Sequence, residues 1–376
     1  MKHTYLMTPG PSPLAGPVKE ALAKDIIHHR TDEFKKILQE AHQGLKYVFS
    51  TDNPVLILAC SGTGAMEASV SNLLSRNDKA LVIVGGKFGQ RWKDICSSYG
   101  VETVCMEINW GTSPDPKEIE RILNDSPDIK AVYTTLCETS TATVYDIKAI
   151  ASITRDRDVL LIVDAISGLG QDVLKTDEWG VDVVVSGSQK GLMLPPGLSF
   201  ISLNRKAEVA LATSNLAKYY FSLKKALKSY QNDDTPYTPS VSLVVALNES
   251  LKIIKEDGLE NRWKEFQKIA QATQDALKEL GFSIFSKSPS FSVTAAAIEG
   301  IDTQAIVKKM RKEYGISIAG GQDALKGKII RIAHMGYINS QDVIMCLSIL
   351  EKVLADLGAS IEIGSSLKAF QEAYYG

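Results

Sequence analysis

Between residues 55 and 205, short runs of Val, Ile and Leu alternate with amphipathic stretches, a pattern that restricts the chain to a layered α/β body. The runs at 55–59, 80–84, 103–106, 131–135, 159–163, 181–185 and 199–203 are apolar at nearly every position. A strand without polar alternation has both faces buried, so the sheet needs helices above and below it. Helical spacing at 65–74, 90–99, 116–123 and 147–154 provides them, as crossovers between parallel strands. The fold class read here is α/β, a large domain whose mainly parallel sheet is sandwiched by helices. Ligands are then expected at the carboxyl ends of its strands.

After about residue 240 the texture changes. Helical patterns at 242–254 and 259–280 precede a strand at 292–298, a helix at 303–314, a strand at 328–333 and a helix at 340–357. This suits a smaller C-terminal α+β domain, and 376 residues are too many for one small core. The expected division is 15–245 for the large domain and 246–376 for the small one. A Pro-rich arm, residues 1–14, is expected to dock near the active site, and the Tyr-rich end to form a surface arm docked on the body.

Lys and Arg nearly balance Asp and Glu, leaving a formal net charge of −2, so nothing points to nucleic acid or an anionic membrane. The N-terminus lacks the pattern of a signal peptide, and no stretch approaches the roughly 18 uninterrupted apolar residues of a membrane span. Cys60, Cys96, Cys105, Cys137 and Cys346 are odd in number, show no CxxC spacing, and are expected as buried free thiols. The histidines show no metal-ligand spacing either. A cytoplasmic, reduced protein with no metal is expected.

The strand at 159–163 runs into Asp164, and the strand at 181–185 into Ser186-Gly-Ser-Gln-Lys190-Gly and then Pro195-Pro-Gly. Two adjacent strands could thus deliver an acid and an amine to one crevice. Each residue alone has a plainer reading, Asp164 as a turn cap and Lys190 as a solvated side chain. Together they suit pyridoxal phosphate, whose pyridinium nitrogen needs a carboxylate partner and whose aldehyde needs an amine of lowered pKa. Ser61-Gly-Thr63-Gly, between a strand and a helix, could seat the phosphate on backbone N–H groups, although tight packing explains such a turn equally well.

These segments are joined by Thr8-Pro-Gly-Pro, His29-Arg-Thr-Asp-Glu-Phe, Gly89-Gln-Arg and Glu138-Thr-Ser-Thr, in that chain order around them. The whole resembles a class V aminotransferase of pyridoxal-phosphate fold type I, in the alanine–glyoxylate and serine–pyruvate branch. The likeness extends from about residue 5 to Leu354. It implies Lys190 as the Schiff-base lysine and Asp164 as the partner of the pyridine nitrogen. It implies Ser61, Gly62 and Thr63 as the phosphate turn, with Gln189 as a side-chain donor. Ser140 falls near the cofactor's ring oxygen, and Phe88 where an aromatic ring covers the pyridine. Gly10 and Arg331 fall at the substrate, Arg331 as the fork for its α-carboxylate. Thr238, with Thr235 and Tyr237 as alternatives, would reach a neighbouring subunit's phosphate, which implies a homodimer. One departure is Ala142, where the family usually has glycine.

The implied reaction is ping-pong transfer of an amino group from alanine or serine to glyoxylate or pyruvate. Arg30 and Arg91 stay open as second cations for a dicarboxylic substrate. A cysteine desulfurase would need a mobile cysteine after Lys190, whereas Cys346 lies on an apolar helix face. A 2-aminoethylphosphonate–pyruvate transaminase is the nearer alternative, since Thr8-Pro-Gly-Pro occurs there too. A catalytically silent binding module is the distant one.

Overall fold

The computed structural model describes residues 4–376. Its main sheet contains β1 (Val55–Leu58), β2 (Lys79–Val84), β3 (Glu102–Glu107), β4 (Ile129–Thr135), β5 (Leu160–Asp164), β6 (Val183–Gly187) and β7 (Ser199–Leu203), in the order β1-β7-β6-β5-β4-β2-β3. Successive side chains of one strand enter opposite cores. Leu161 and Val163 pack below with Leu38 and Leu45, and Leu160 and Ile162 pack above with Met66 and Trp92. That is why these strands carry no polar alternation.

All strands run parallel except β7, which is antiparallel to both β1 and β6. The connection from β6 to β7, residues 188–198, contains no helix. Without a crossover element the chain can only turn back on itself.

Five helices matter for the site: α1 (Asp32–Phe49), α2 (Gly62–Leu73), α3 (Lys87–Ser98), α4 (Val241–Asp257) and α5 (Leu259–Glu279). The first of these is absent from the periodicity reading, although its signals are local. Thr31 caps it by accepting from Phe34 N, Asp32 and Glu33 open its first turn, and Phe34, Leu38, Ala41, Leu45 and Val48 form its buried stripe. The division expected at 245/246 falls inside α4, whose Ala246, Leu247, Leu251 and Ile254 still pack in the core below the sheet.

A second, antiparallel sheet contains β8 (Ser283–Ile284), β9 (Val293–Ala297), β10 (Ala319–Gly320) and β11 (Ile329–Ala333), in the order β8-β9-β11-β10. Its core combines Ile330 and Ile332 with Leu277, Met310, Leu347 and Leu350. The helix expected at 303–314 is α-helical only over Thr303–Lys309 and finishes as a π turn, Met310–Tyr314, before Gly315 at φ 75°.

The Tyr-rich end is docked on the body. It forms a helix, Ser365–Tyr375, that buries Phe370 completely. The buried Glu351 carboxylate holds its start, accepting from Gly364 N and Ser366 N. At the other end of the chain, Tyr5–Leu6 pairs in parallel with Ile316–Ser317, and Met7 is buried. The first three residues of the expected arm lie outside the described residues. No described helix is long and apolar enough to cross a membrane.

Candidate active site

Asp164 ends β5 and Lys190 follows β6, and the two strands pair with Asp164 opposite Val185. Both side chains are buried. Asp164 Oδ1 accepts from Ile166 N at 2.8 Å, as a turn cap would, while Oδ2 takes no hydrogen bond among the described residues. Burial raises its pKa to about 7, with the Ile166 N–H and the charges of Arg91 and Lys190 opposing. Burial lowers that of Lys190 to about 8, with the Asp164 charge opposing. Lys190 is therefore no solvated surface lysine, and its amine gives up its proton around pH 8 rather than above 10.

The Lys190 ammonium donates to the Pro9 carbonyl, so the N-terminal segment lies directly on it. Ser12 secures that segment by donating from Oγ to Lys190 O at 2.7 Å and from N to Gln189 O at 3.0 Å. At Gly10 (φ 92°) a Cβ would come within 2.5 Å of Lys190 Cδ and Cε, so only glycine fits there.

Ser61, Gly62 and Thr63 open α2. Ser61 does not cap the helix with its side chain, and only the Gly64 amide is taken, by Ser61 O at 2.8 Å. The N–H groups of Gly62 and Thr63 are left for an anion. Packing also explains the glycines. A Cβ at Gly62 would come within 2.5 Å of Ile166 Cδ1, and one at Gly64 within 2.5 Å of Cys60 Sγ. Gln189 Oε1 is buried and has no hydrogen-bond partner among the described residues.

Glu138 was missed as a site residue by the reading of the motif around it. Its buried carboxylate accepts from Phe88 N at 3.1 Å, Gly89 N at 2.9 Å, and both the N (3.2 Å) and Oγ of Ser140. Ser140 Oγ in turn accepts from Lys87 N at 3.0 Å. Gly86, the N-cap of α3, has no side chain, so Glu138 and Ser140 satisfy the first N–H groups of that helix from outside. A Cβ at Gly86 would come within 2.4 Å of Ser140 Oγ. A sequence signal existed, a helix start without a local cap. Phe88, half-buried, is held by this contact, with Arg91 Cζ 4.8 Å from its ring centroid. Ala142 adopts φ 57°, the conformation for which glycine is suited, so the backbone here keeps a glycine-like shape at some cost in strain.

Arg331 lies on β11, paired with Ala295 and Ala319, and is buried. Its Nε and Nη2 donate to Gly320 O at 3.0 and 2.8 Å, and its Nη1 to Thr139 O at 2.8 Å. A guanidinium has five N–H groups, so one on Nη1 and one on Nη2 remain, the pair that a carboxylate accepts. Burial lowers its pKa to about 10, against the Glu138 charge, and it stays cationic at neutral pH.

Other expected residues are not drawn in. Thr235 Oγ1 donates to Tyr237 O at 2.8 Å, Tyr237 Oη to Tyr219 O at 2.9 Å, and Thr238 is exposed. Arg30 pairs with Asp234 at the surface. No disulfide links the cysteines; Cys96, Cys137 and Cys346 are buried, Cys60 and Cys105 only partly. No group of three His, Cys, Asp or Glu residues that could hold a metal ion occurs among the described residues.

The layered sheet with a smaller antiparallel sheet beside it is the fold of known aminotransferases. The ureidoglycine–glyoxylate aminotransferase of Bacillus subtilis superimposes with a TM-score of 0.96 at 29% identity, covering 100% of this chain and 99% of that one. Residues 18–344 match the family model described as aminotransferase class-V, and the chain belongs to that family. The small subunit of a soluble hydrogenase from Synechococcus sp. (strain PCC 6716) is 42% identical over 358 residues, 94% of this chain and 93% of that protein. Serine–glyoxylate aminotransferase of Methylorubrum extorquens is 34% identical over 381 residues, 98% of this chain and 95% of that one.

Proposed function

We propose that this enzyme is a pyridoxal-phosphate-dependent transaminase carrying an amino group from a small amino acid, alanine or serine, to glyoxylate or pyruvate. The observation that carries the reading is the convergence of buried Asp164, buried Lys190 and the doubly available Arg331 beside an uncapped helix start. The residues fit the cofactor. Asp164 Oδ2 is free for a ring N–H, and the Gly62 and Thr63 amides for a phosphate. When bound, the cofactor supplies an aldehyde that takes up amino groups and a ring that withdraws electrons from the substrate carbon.

Lys190 would attach the cofactor and carry the proton from the substrate's Cα. Asp164 would keep the ring nitrogen protonated, and Ser61, Gly62, Thr63 and Gln189 would hold the phosphate. Phe88 would cover the ring, with Ser140 at its edge. Gly10 leaves room over Lys190, and Arg331 would orient the substrate's α-carboxylate. Exposed Thr238 would reach across a homodimer. Both aminotransferases compared above carry glyoxylate in their names, which supports that acceptor. The hydrogenase name belongs to that relative.

The test is a half-reaction screen. The purified protein, loaded with pyridoxal phosphate, should change its absorbance with alanine or serine alone and recover with glyoxylate. Aspartate tests for a dicarboxylic donor, and 2-aminoethylphosphonate for the nearer alternative. If 2-aminoethylphosphonate reacts fastest, or no α-amino acid reacts, the assignment fails.

Asp164→Asn should keep the cofactor but cripple turnover. The replacement is nearly isosteric, yet the charge is gone. Losing about 3 kcal/mol of transition-state stabilisation corresponds to more than a hundredfold in kcat. Near-parental kcat with bound pyridoxal phosphate would show that another group protonates the ring.

A further inference from the structure

We propose that Arg91 is a positioning residue of the anion turn, fixing the Thr63 hydroxyl so that its hydrogen is offered to the cofactor's phosphate. This rests on reading the site as one for pyridoxal phosphate. Arg91 Nη1 donates to Thr63 Oγ1 at 3.1 Å, and Thr63 Oγ1 makes no other hydrogen bond among the described residues. A guanidinium can only donate, so it occupies a hydroxyl lone pair and turns the O–H away from itself. The acceptor for that hydrogen is therefore not Arg91. Thr63 stands in the first turn of the helix whose Gly62 and Thr63 amides are also open, so an anion seated there is the acceptor we assign to that hydrogen.

The guanidinium is itself held in place. Phe88 and Arg91 are three residues apart on α3, hence on one helix face, and Arg91 Cζ lies 4.8 Å from the Phe88 centroid. The backbone of Phe88 is fixed by Glu138. A chain of contacts thus runs from Glu138 through Phe88 and Arg91 to Thr63, joining the covering ring to the anion turn. Arg91 also places a positive charge at this end of the sheet, where the helix start already favours an anion. With one nitrogen on Thr63 and its face on Phe88, it is tied to the cofactor's end of the site.

The experiment compares apoprotein binding of pyridoxal phosphate with that of pyridoxal, which lacks the phosphate, followed by absorbance. Arg91→Ala should weaken pyridoxal phosphate about tenfold or more and leave pyridoxal unchanged. Inorganic phosphate should compete with pyridoxal phosphate for the parent more strongly than for Arg91→Ala. Arg91→Lys, which retains a donor and a charge, should recover part of the loss. Thr63→Val should cost less in the Arg91→Ala background than in the parent, because the two act as one unit.

Equal weakening of both ligands would make Arg91 merely structural and overturn the inference. So would unchanged pyridoxal phosphate affinity together with a raised KM for aspartate alone, which would assign Arg91 to a dicarboxylic substrate. Parental apoprotein that takes neither ligand would overturn the cofactor reading itself. A parent that binds both, with unaltered Arg91 variants, overturns this inference alone.

Discussion

Lys190→Ala should abolish amino-group transfer while the chain remains folded and still takes up pyridoxal phosphate non-covalently. Removing a positioned acid–base group costs about 10²–10⁴-fold in rate, and here the same side chain is also the point of attachment. The phosphate turn, Asp164 and Phe88 do not depend on the Lys190 side chain for their positions, since their contacts run to Arg91, Ile166 and Glu138. Borohydride should fix the cofactor on the Lys190 peptide of the parent and on no peptide of the variant. Label on another lysine, or parental turnover by the variant, would end the assignment.

The same amine sets a pH dependence. Burial lowers its pKa from 10.5 to about 8, so the neutral, nucleophilic form is scarce below pH 8 and complete above it. Capture of pyridoxal by the apoprotein should rise about tenfold per pH unit below 8 and then level off, rather than climb towards 10. The Asp164 charge opposes that lowering, so Asp164→Asn should move the midpoint to lower pH. A midpoint near 10 in the parent would mean that the amine is solvated.

Arg331→Lys should weaken the capture of α-amino acids severely, by about 2–5 kcal/mol, with the cofactor still bound. Lysine cannot donate to both Gly320 O and Thr139 O while presenting two parallel N–H groups to a carboxylate. In kcat/KM the loss is then about thirtyfold to several thousandfold. Titrating the variant with alanine, and in parallel with an amine donor that lacks a carboxylate, separates recognition from damage. Alanine bound as tightly as by the parent would show that Arg331 is not the fork. Equal loss for the carboxylate-free amine would show a structural fault, since Arg331 also ties β11 to the loop of Thr139.

The acid was legible because it ends an unbroken apolar run, and the amine because it follows a Val-rich strand by a short turn of small residues. A run apolar at every position is a strand buried on both faces, and the polar residue that ends it reaches the sheet's ligand edge. Ser61-Gly-Thr63 was legible for a related reason, as small residues between a strand and a helix. Helix α1 was equally legible from the Thr31 cap and its apolar stripe, although its residues drew notice only as a motif. The Tyr-rich end was less so. Its aromatic residues signal burial somewhere, but the carboxylate that starts its helix belongs to Glu351, on the preceding helix and beyond the reach of a local cap.

By itself, then, the sequence determined the layered α/β class, the strands of the main sheet, most helices, and which few side chains stand at the strand ends. Local periodicity and local turn chemistry suffice for those, since they depend on neighbours within a few residues. Only the tertiary structure decided the rest. It turned β7 antiparallel, laid Pro9 and Gly10 over Lys190, capped α3 with Glu138 and Ser140, and set Arg331 between Gly320 and Thr139. Gly86 shows the physical reason. A helix start with no side-chain cap must have its N–H groups satisfied, so the need is written locally, but the group that meets it comes from some fifty residues along the chain and is chosen only when the layers pack.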